Sequence, residues 1–178
     1  MSPRIIVLTG RARSGKSTVS QYLRDTHGYT CVKFAQVLKD MLLTLGLTAE
    51  HIEGPLKEMP CGLLGGKTPR FAMQTLGTEW GRDIISPDLW VNSWRASVQR
   101  LLDGGRNVVT DDCRFDNELD AALSLGAVVV RVVRPDPLQQ IQGTHPSEFV
   151  PEYFDAQVNN TGAVQDLHDQ IEQLIKES

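Results

Sequence analysis

Apolar residues fall along this chain in two recurring patterns. Short apolar stretches rich in β-branched residues, Arg4–Thr9, Asn107–Asp111 and Ala127–Val133, predict buried strands, and Tyr29–Phe34 is a further strand candidate. Between them the spacing becomes helical. In Lys16–Arg24, Val19 and Leu23 stand four apart with Tyr22 beside them, and Gly28 follows as a stop. Gln36–Leu45 ends at Gly46 and Asn117–Leu125 at Gly126; Phe71–Arg82, Leu89–Leu102 and Val164–Ile175 complete the predicted helices. Two stretches lack periodicity. Thr48–Thr68 carries Gly54, Pro55, Pro60, Gly62, Gly65 and Gly66, and Pro135–Pro151 reads as loop. Strands alternating with helices predict an α/β fold, a mostly parallel sheet covered by helices on both faces.

Composition narrows the class without changing that picture. With 178 residues the chain has room for one domain, and 40% hydrophobic with 22% charged residues is ordinary for a globular protein. A net charge of -4 argues against a protein living on non-specific nucleic-acid affinity. The longest apolar stretches are far short of the ~20 residues of a membrane span. Met-Ser-Pro-Arg runs straight into the first strand, so no leader is expected. Cys31, Cys61 and Cys113 form no CxxC pair, and the four histidines form no HExxH motif. Disulfides and structural zinc are not expected, and a reduced cytoplasmic location is.

The chemistry begins at Gly10-Arg11-Ala12-Arg13-Ser14-Gly15-Lys16-Ser17, which fits G-x-x-x-x-G-K-[ST] between a predicted strand and a predicted helix. Such a loop turns backbone N–H groups toward phosphate at a helix N-terminus. Arg13, Ser14, Gly15, Lys16, Ser17 and Thr18 are therefore candidate ATP-binding residues, with Lys16 for the β/γ-phosphates and Ser17 for Mg2+. Gly62–Thr68 imitates the motif's ending, but Cys61 stands where the first glycine belongs and Pro60 precedes it. That stretch reads as loop.

A second signal follows the third strand. Asp111 and Asp112 sit at its carboxyl end, where ligands gather in open α/β sheets. Asp112 or Asp111 could hold Mg2+ or orient an acceptor; equally, the acids could cap the next helix, as could Asp116. No guanine-reading NKxD tetrapeptide follows a strand, which weighs against a GTPase switch.

Taken together, the motifs resemble the phage-type deoxynucleoside monophosphate kinases of the P-loop kinase fold. The resemblance rests on Gly10–Thr18; Phe34-Ala35 with Leu38-Lys39; Thr68-Pro69-Arg70; Gln74–Glu79 with Gly81-Arg82; Trp90-Val91; Asp112–Phe115 with Asn117-Glu118; Arg134-Pro135; and His145–Glu148. It implies transfer of the ATP γ-phosphoryl group to a deoxynucleoside 5′-monophosphate, with Mg2+. Arg11 and Arg13 inside the phosphate loop, and a short loop after Arg134, depart from the family pattern. The implied organisation is a core at 1–34 and 105–178, an acceptor-binding region at about 35–104 and a lid at about 134–151.

Roles follow from what two polyanions need, which is convergent cations. Arg82 is the first candidate for the acceptor phosphate, then Arg70 and Arg114, because the guanidinium fork binds phosphate bidentately. Lys39 could face the acceptor or solvent. Gln74 could read a base edge, and Phe34 or Trp90 could stack on a base. Of Arg131 and Arg134 flanking the lid, Arg134 is preferred as catalytic beside Lys16 and Asp112, while His145 and Glu148 would anchor the lid. A phosphate acceptor is largely ionised near pH 7, so Asp112 would position metal or substrate. The rival is a kinase acting on a hydroxyl, of a metabolite or of hydroxymethyluracil in phage DNA, with an aspartate as base. A nucleotide-sensing switch is a third reading. Phage encoding would place the protein in the host cytoplasm, and homodimerisation stays open.

Overall fold

The computed structural model describes residues 2–135 and 151–177. They divide into two compact units: residues up to Lys33 with those from Trp94 onward, and Phe34–Ser93.

The first unit is built on a five-stranded sheet of β1 (Ile5–Thr9), β2 (Thr30–Cys31), β3 (Val108–Thr110), β4 (Val128–Val133) and β5 (Ala156–Asn159), ordered β2-β3-β1-β4-β5. Every pairing is parallel; Ile6 lies opposite Val109 on one side and Val128 on the other. Because side chains alternate across a strand, each face of the sheet needs its own cover. Ile6 and Leu8 of β1 pack with Val109, Val130, Val132 and Val158 against Val19 and Leu23 of α1 (Lys16–His27) and Leu167, Ile171 and Ile175 of α7 (Val164–Glu177). Thr110 points the other way. Its hydroxyl accepts from the buried Trp94 indole at 3.0 Å, from the far half of α5 (Leu89–Asp103), and donates to Val32 O at 2.8 Å. Helix α6 (Asp116–Ser124) buries Leu119, Ala121 and Ala122.

This order puts β1 between strands reached by opposite excursions of the chain. The loop leaving its carboxyl end therefore opens at the topological switch point, where open α/β sheets bind ligands. Most of the predicted strands and helices reappear with small shifts, and one strand is new. In β5 only Val158 is buried, so its Ala-Gln-Val-Asn sequence carries no apolar run. The predicted strand Tyr29–Phe34 shortens to the two-residue edge strand β2.

The second unit holds α2 (Gln36–Thr44), the single-turn α3 (Ala49–Ile52), α4 (Pro69–Gln74) and the start of α5. Its core is Leu38, Leu42, Leu47, Ile52, Met73 and Trp90. Within the stretch read as loop, α3 and 3-10 turns at Pro55–Glu58 and Gly62–Leu64 form, because Ile52 is drawn into that core. Thr68 caps α4, accepting from Phe71 N at 3.1 Å.

The helix expected over Phe71–Arg82 changes form after one and a half turns: Thr75–Ile85 is π-helical. The Trp90 indole donates to Gly77 O at 2.7 Å, the carbonyl an α-helix would present to Gly81 N–H. A Cβ on Gly81 would lie 2.5 Å from the Trp90 ring. Trp90 thus seats against the glycine face of the widened helix, in place of the bond from Gly81 N–H to Gly77 O. Replacing Gly81 by alanine is expected to destabilise the protein by about 1–3 kcal/mol, because the ring is tethered and cannot yield; urea unfolding measures it. No helix among the described residues is long and apolar enough to cross a membrane.

Candidate active site

The phosphate loop is made by backbone that tolerates few side chains. Gly10 has φ +132°, and a Cβ there would meet Val132 O at 2.3 Å. Arg13 adopts a left-handed φ of 62° and Gly15 one of 110°. From Gly15 the chain enters α1, whose first turn carries no acidic residue and no side-chain cap. The N-terminal N–H groups and their partial positive charge are thus left for an anion. Ser14 is buried, and its hydroxyl and that of Thr9, at the end of β1, have no hydrogen-bond partner among the described residues.

Lys16 folds back over the loop, donating from Nζ to Gly10 O at 2.7 Å and Arg11 O at 2.8 Å. Burial lowers its pKa from 10.5 to about 8; the Arg114 guanidinium adds to the fall, and Asp111 and Asp112 oppose it. Because β1 and β3 are parallel neighbours, the loop after β1 and the turn after β3 leave the same carboxyl edge of the sheet. Lys16, Asp111, Asp112 and Arg114, picked from separate parts of the sequence, are brought together.

The two aspartates differ. Asp111 is 9% exposed and pairs with Lys33 Nζ at 3.4 Å, while Asp112 is half-buried. Glu118, 2% exposed, fixes the turn from behind: its Oε2 accepts Arg114 N at 2.7 Å and Phe115 N at 3.2 Å. Cys113 is buried, which pushes its thiol pKa up and leaves it protonated.

Within the second unit, Arg82 is half-buried and donates to Pro87 O at 3.1 Å. Arg70 pairs with Glu58, Lys39 Nζ with Glu53 Oε1 at 2.5 Å, and Gln74 ends α4 half-buried. Phe34 (2% exposed) and Trp90 (3%) are buried as core residues are, and Trp90's indole is committed to Gly77. Arg134 is exposed just beyond β4. The lid stretch with His145 and Glu148 lies outside the described residues. Arg131 holds the chain beyond that stretch, donating to Pro151 O at 2.8 Å and Glu152 O at 2.6 Å with its guanidinium 4.1 Å from the Phe154 ring centroid.

Sequence reasoning gave Lys33 and Asn160 no role and took Glu118 only as part of a motif. All three act through partners distant in the chain or through backbone atoms. Asn160, just after β5, donates from Nδ2 to Ser14 O at 2.9 Å.

A strand–loop–helix phosphate cradle at the switch point of a parallel sheet, with a lysine, two aspartates and an arginine gathered beside it, defines a P-loop kinase fold. Solved structures agree on the fold. A sugar kinase from Janibacter sp. superposes with a TM-score of 0.53 at 12% identity, covering 98% of this chain and 95% of that one. Shikimate kinase from Aquifex aeolicus gives 0.51 at 16%, covering 97% and 96%. The profile of the deoxynucleotide monophosphate kinase family matches residues 68–171. A candidate deoxynucleotide monophosphate kinase of Acanthamoeba polyphaga mimivirus is 31% identical over 94% of this chain and 93% of its own length. The deoxynucleotide monophosphate kinase of Enterobacteria phage T4 is 30% identical over 60% of this chain and 45% of its own. The chain belongs to the deoxynucleotide monophosphate kinase family and is a nucleotide kinase.

Proposed function

We propose that this kinase transfers the γ-phosphoryl group of ATP to a deoxynucleoside 5′-monophosphate, yielding ADP and the deoxynucleoside diphosphate. The observation that carries the reading is that the loop after β1, with Lys16, and the turn after β3, with Asp111, Asp112 and Arg114, leave the same edge of a parallel sheet in a family member. An oxygen of the acceptor phosphate attacks the γ-phosphorus as the bond to the β–γ bridging oxygen breaks. The acceptor's second pKa is about 6, so that oxygen is already ionised near pH 7 and no base is needed. The α1 N–H groups and Lys16 hold the donor's phosphates, and Arg114 stabilises charge spreading over the transferred group.

Mg2+ would be held by the Ser17 hydroxyl and the Asp112 carboxylate. Hard oxygen donors supplied by one hydroxyl and one carboxylate fit an ion that takes its remaining ligands from phosphate and water. When bound, it would supply charge neutralisation to the donor's phosphates. Asp111, engaged by Lys33, keeps the turn after β3 in place.

The acceptor belongs to the Phe34–Ser93 unit in this reading, with Arg82 foremost for its phosphate, Arg70 and Lys39 after it, and Gln74 for the base edge. The cations Arg70 and Lys39 must exchange Glu58 and Glu53 for the acceptor. Phe34 and Trp90 act as packing that shapes this unit. Arg134, exposed just beyond β4, is assigned to the transferring phosphate.

The test is Mg2+-dependent ADP formation against dTMP, dGMP, dCMP, dAMP, 5-hydroxymethyl-dUMP, their ribonucleotide counterparts and duplex DNA with or without hydroxymethyluracil. A new deoxynucleoside diphosphate paired with ADP supports the reading. Turnover with modified DNA alone overturns it and makes Asp112 a general base.

The lowered Lys16 pKa also fixes a pH dependence. Below about pH 8 the ammonium is present and meets the donor's phosphates directly. Above it, the free protein has lost that proton and must regain it on binding. ATP affinity is therefore expected to fall above about pH 8, approaching tenfold per pH unit. Calorimetry near pH 8.5 in two buffers of different ionisation enthalpy should report uptake of up to one proton per ATP.

A further inference from the structure

We infer that Asn160 is a positioning residue for phosphate binding: its side-chain amide aims the Gly15 N–H of the phosphate loop by holding the carbonyl of the same peptide. The inference rests on the reading of the 10–17 loop as the donor-phosphate cradle.

In a planar trans peptide the C=O and the N–H point in opposite directions, so fixing one fixes the other. Asn160 Nδ2 donates to Ser14 O at 2.9 Å. The Gly15 N–H of that same peptide must then point away from Asn160, and among the described residues it meets no acceptor. Only the NH2 end of the amide can face a carbonyl, which settles its orientation. The contact is close as well as polar, since a Cβ on Gly15 would lie 2.6 Å from Asn160 Nδ2. The second glycine of the motif is thereby required twice, for its φ of 110° and for the room Asn160 occupies.

Asn160 is itself held at both ends of its attachment. Its N–H donates to Val133 O at 2.7 Å, extending the β4–β5 ladder by one bond. The preceding residue is clamped by Gln170 of α7, whose Oε1 accepts Asn159 N at 2.8 Å and whose Nε2 donates to Asn159 O at 3.0 Å. A chain of hydrogen bonds thus runs from α7 through Asn159 and Asn160 to the peptide that presents Gly15 N–H. Without it, the loop must order that peptide when the phosphates arrive, and the cost appears as lost affinity.

The experiment titrates Mg2+-tripolyphosphate, which has phosphates and no base, and Mg2+-ATP into the wild-type protein and into Asn160→Asp and Gln170→Ala. Asp keeps the shape of Asn but offers the Ser14 carbonyl no donor. Asn160→Asp is expected to weaken both ligands by about tenfold or more, with the KM of the acceptor unchanged within twofold and the unfolding midpoint shifted only slightly. Gln170→Ala leaves the Asn160 donor in place and should weaken both ligands in the same direction by a smaller factor, which keeps the test alive if Asn160→Asp folds poorly. Tripolyphosphate binding by either variant within experimental error of wild type overturns the inference. Weakening of ATP with tripolyphosphate unaffected also overturns it, because Asn160 would then contact the nucleoside. If the wild-type protein binds neither ligand, the cradle reading itself fails and takes the inference with it.

Discussion

Replacing Lys16 by alanine is expected to lower kcat for phosphoryl transfer by roughly two to three orders of magnitude, the scale for removing a donor aimed at developing transition-state charge. The fold should survive. Burial and the neighbouring Arg114 hold the ammonium at a cost, visible in a pKa lowered to about 8. At pH 7 that penalty is fully present, and it fades as pH rises from about 8 toward the unfolded value of 10.5. The variant loses the bonds to Gly10 O and Arg11 O but also sheds the penalty, so the ligand-free unfolding midpoint should move little. The stabilisation that ATP confers on wild type should vanish. Thermal unfolding with and without Mg2+-ATP, beside steady-state turnover, separates these effects. Turnover within tenfold of wild type in a folded Lys16→Ala protein would falsify the whole phosphoryl-transfer account.

Lys16 could be found from sequence because a phosphate loop is a local backbone device. Its glycines, lysine and serine must stand at fixed spacing, and the flanking strand and helix carry their own apolar signatures. The same holds for the central strands: β1 is buried throughout and β4 is apolar but for Arg131, and such runs need no knowledge of neighbours. Legibility fails where a residue's partner is remote. Nothing local in Asn159-Asn160-Thr161 announces a hydrogen bond to Ser14, 146 positions away. Glu118 reads as a helix-start carboxylate, and only the fold shows it buried beneath the Asp112–Phe115 turn. The edge strand β5 is silent because its single buried residue makes no pattern. The π-helical stretch is silent for another reason: Gly77 and Gly81 look like weak helix positions until Trp90 is seen against them. The cations proposed for the acceptor are an intermediate case, since Arg70 and Lys39 stand out in the sequence while their pairing with Glu58 and Glu53 is visible only in the fold.

Gly10 carries the second large expectation. Gly10→Ala should cost roughly 2–6 kcal/mol, combining backbone strain with a clash that cannot relax. The φ of +132° lies where a side chain is strongly disfavoured, and the obstruction is Val132 O, a backbone atom of β4 paired directly to β1. Moving it would break the ladder at the centre of the sheet. Gly28 supplies the control. It also has a positive φ, +68°, but a Cβ there would meet nothing within 4 Å. Gly28→Ala should therefore cost only the left-handed penalty of about 1–2 kcal/mol. Urea unfolding of the two variants side by side separates conformational strain from steric exclusion. A domain of this kind is typically stable by about 5–15 kcal/mol, so the Gly10 variant should be severely weakened and the Gly28 variant comfortably folded. If the two variants unfold at the same urea concentration, the close approach of the phosphate loop to β4 is wrong.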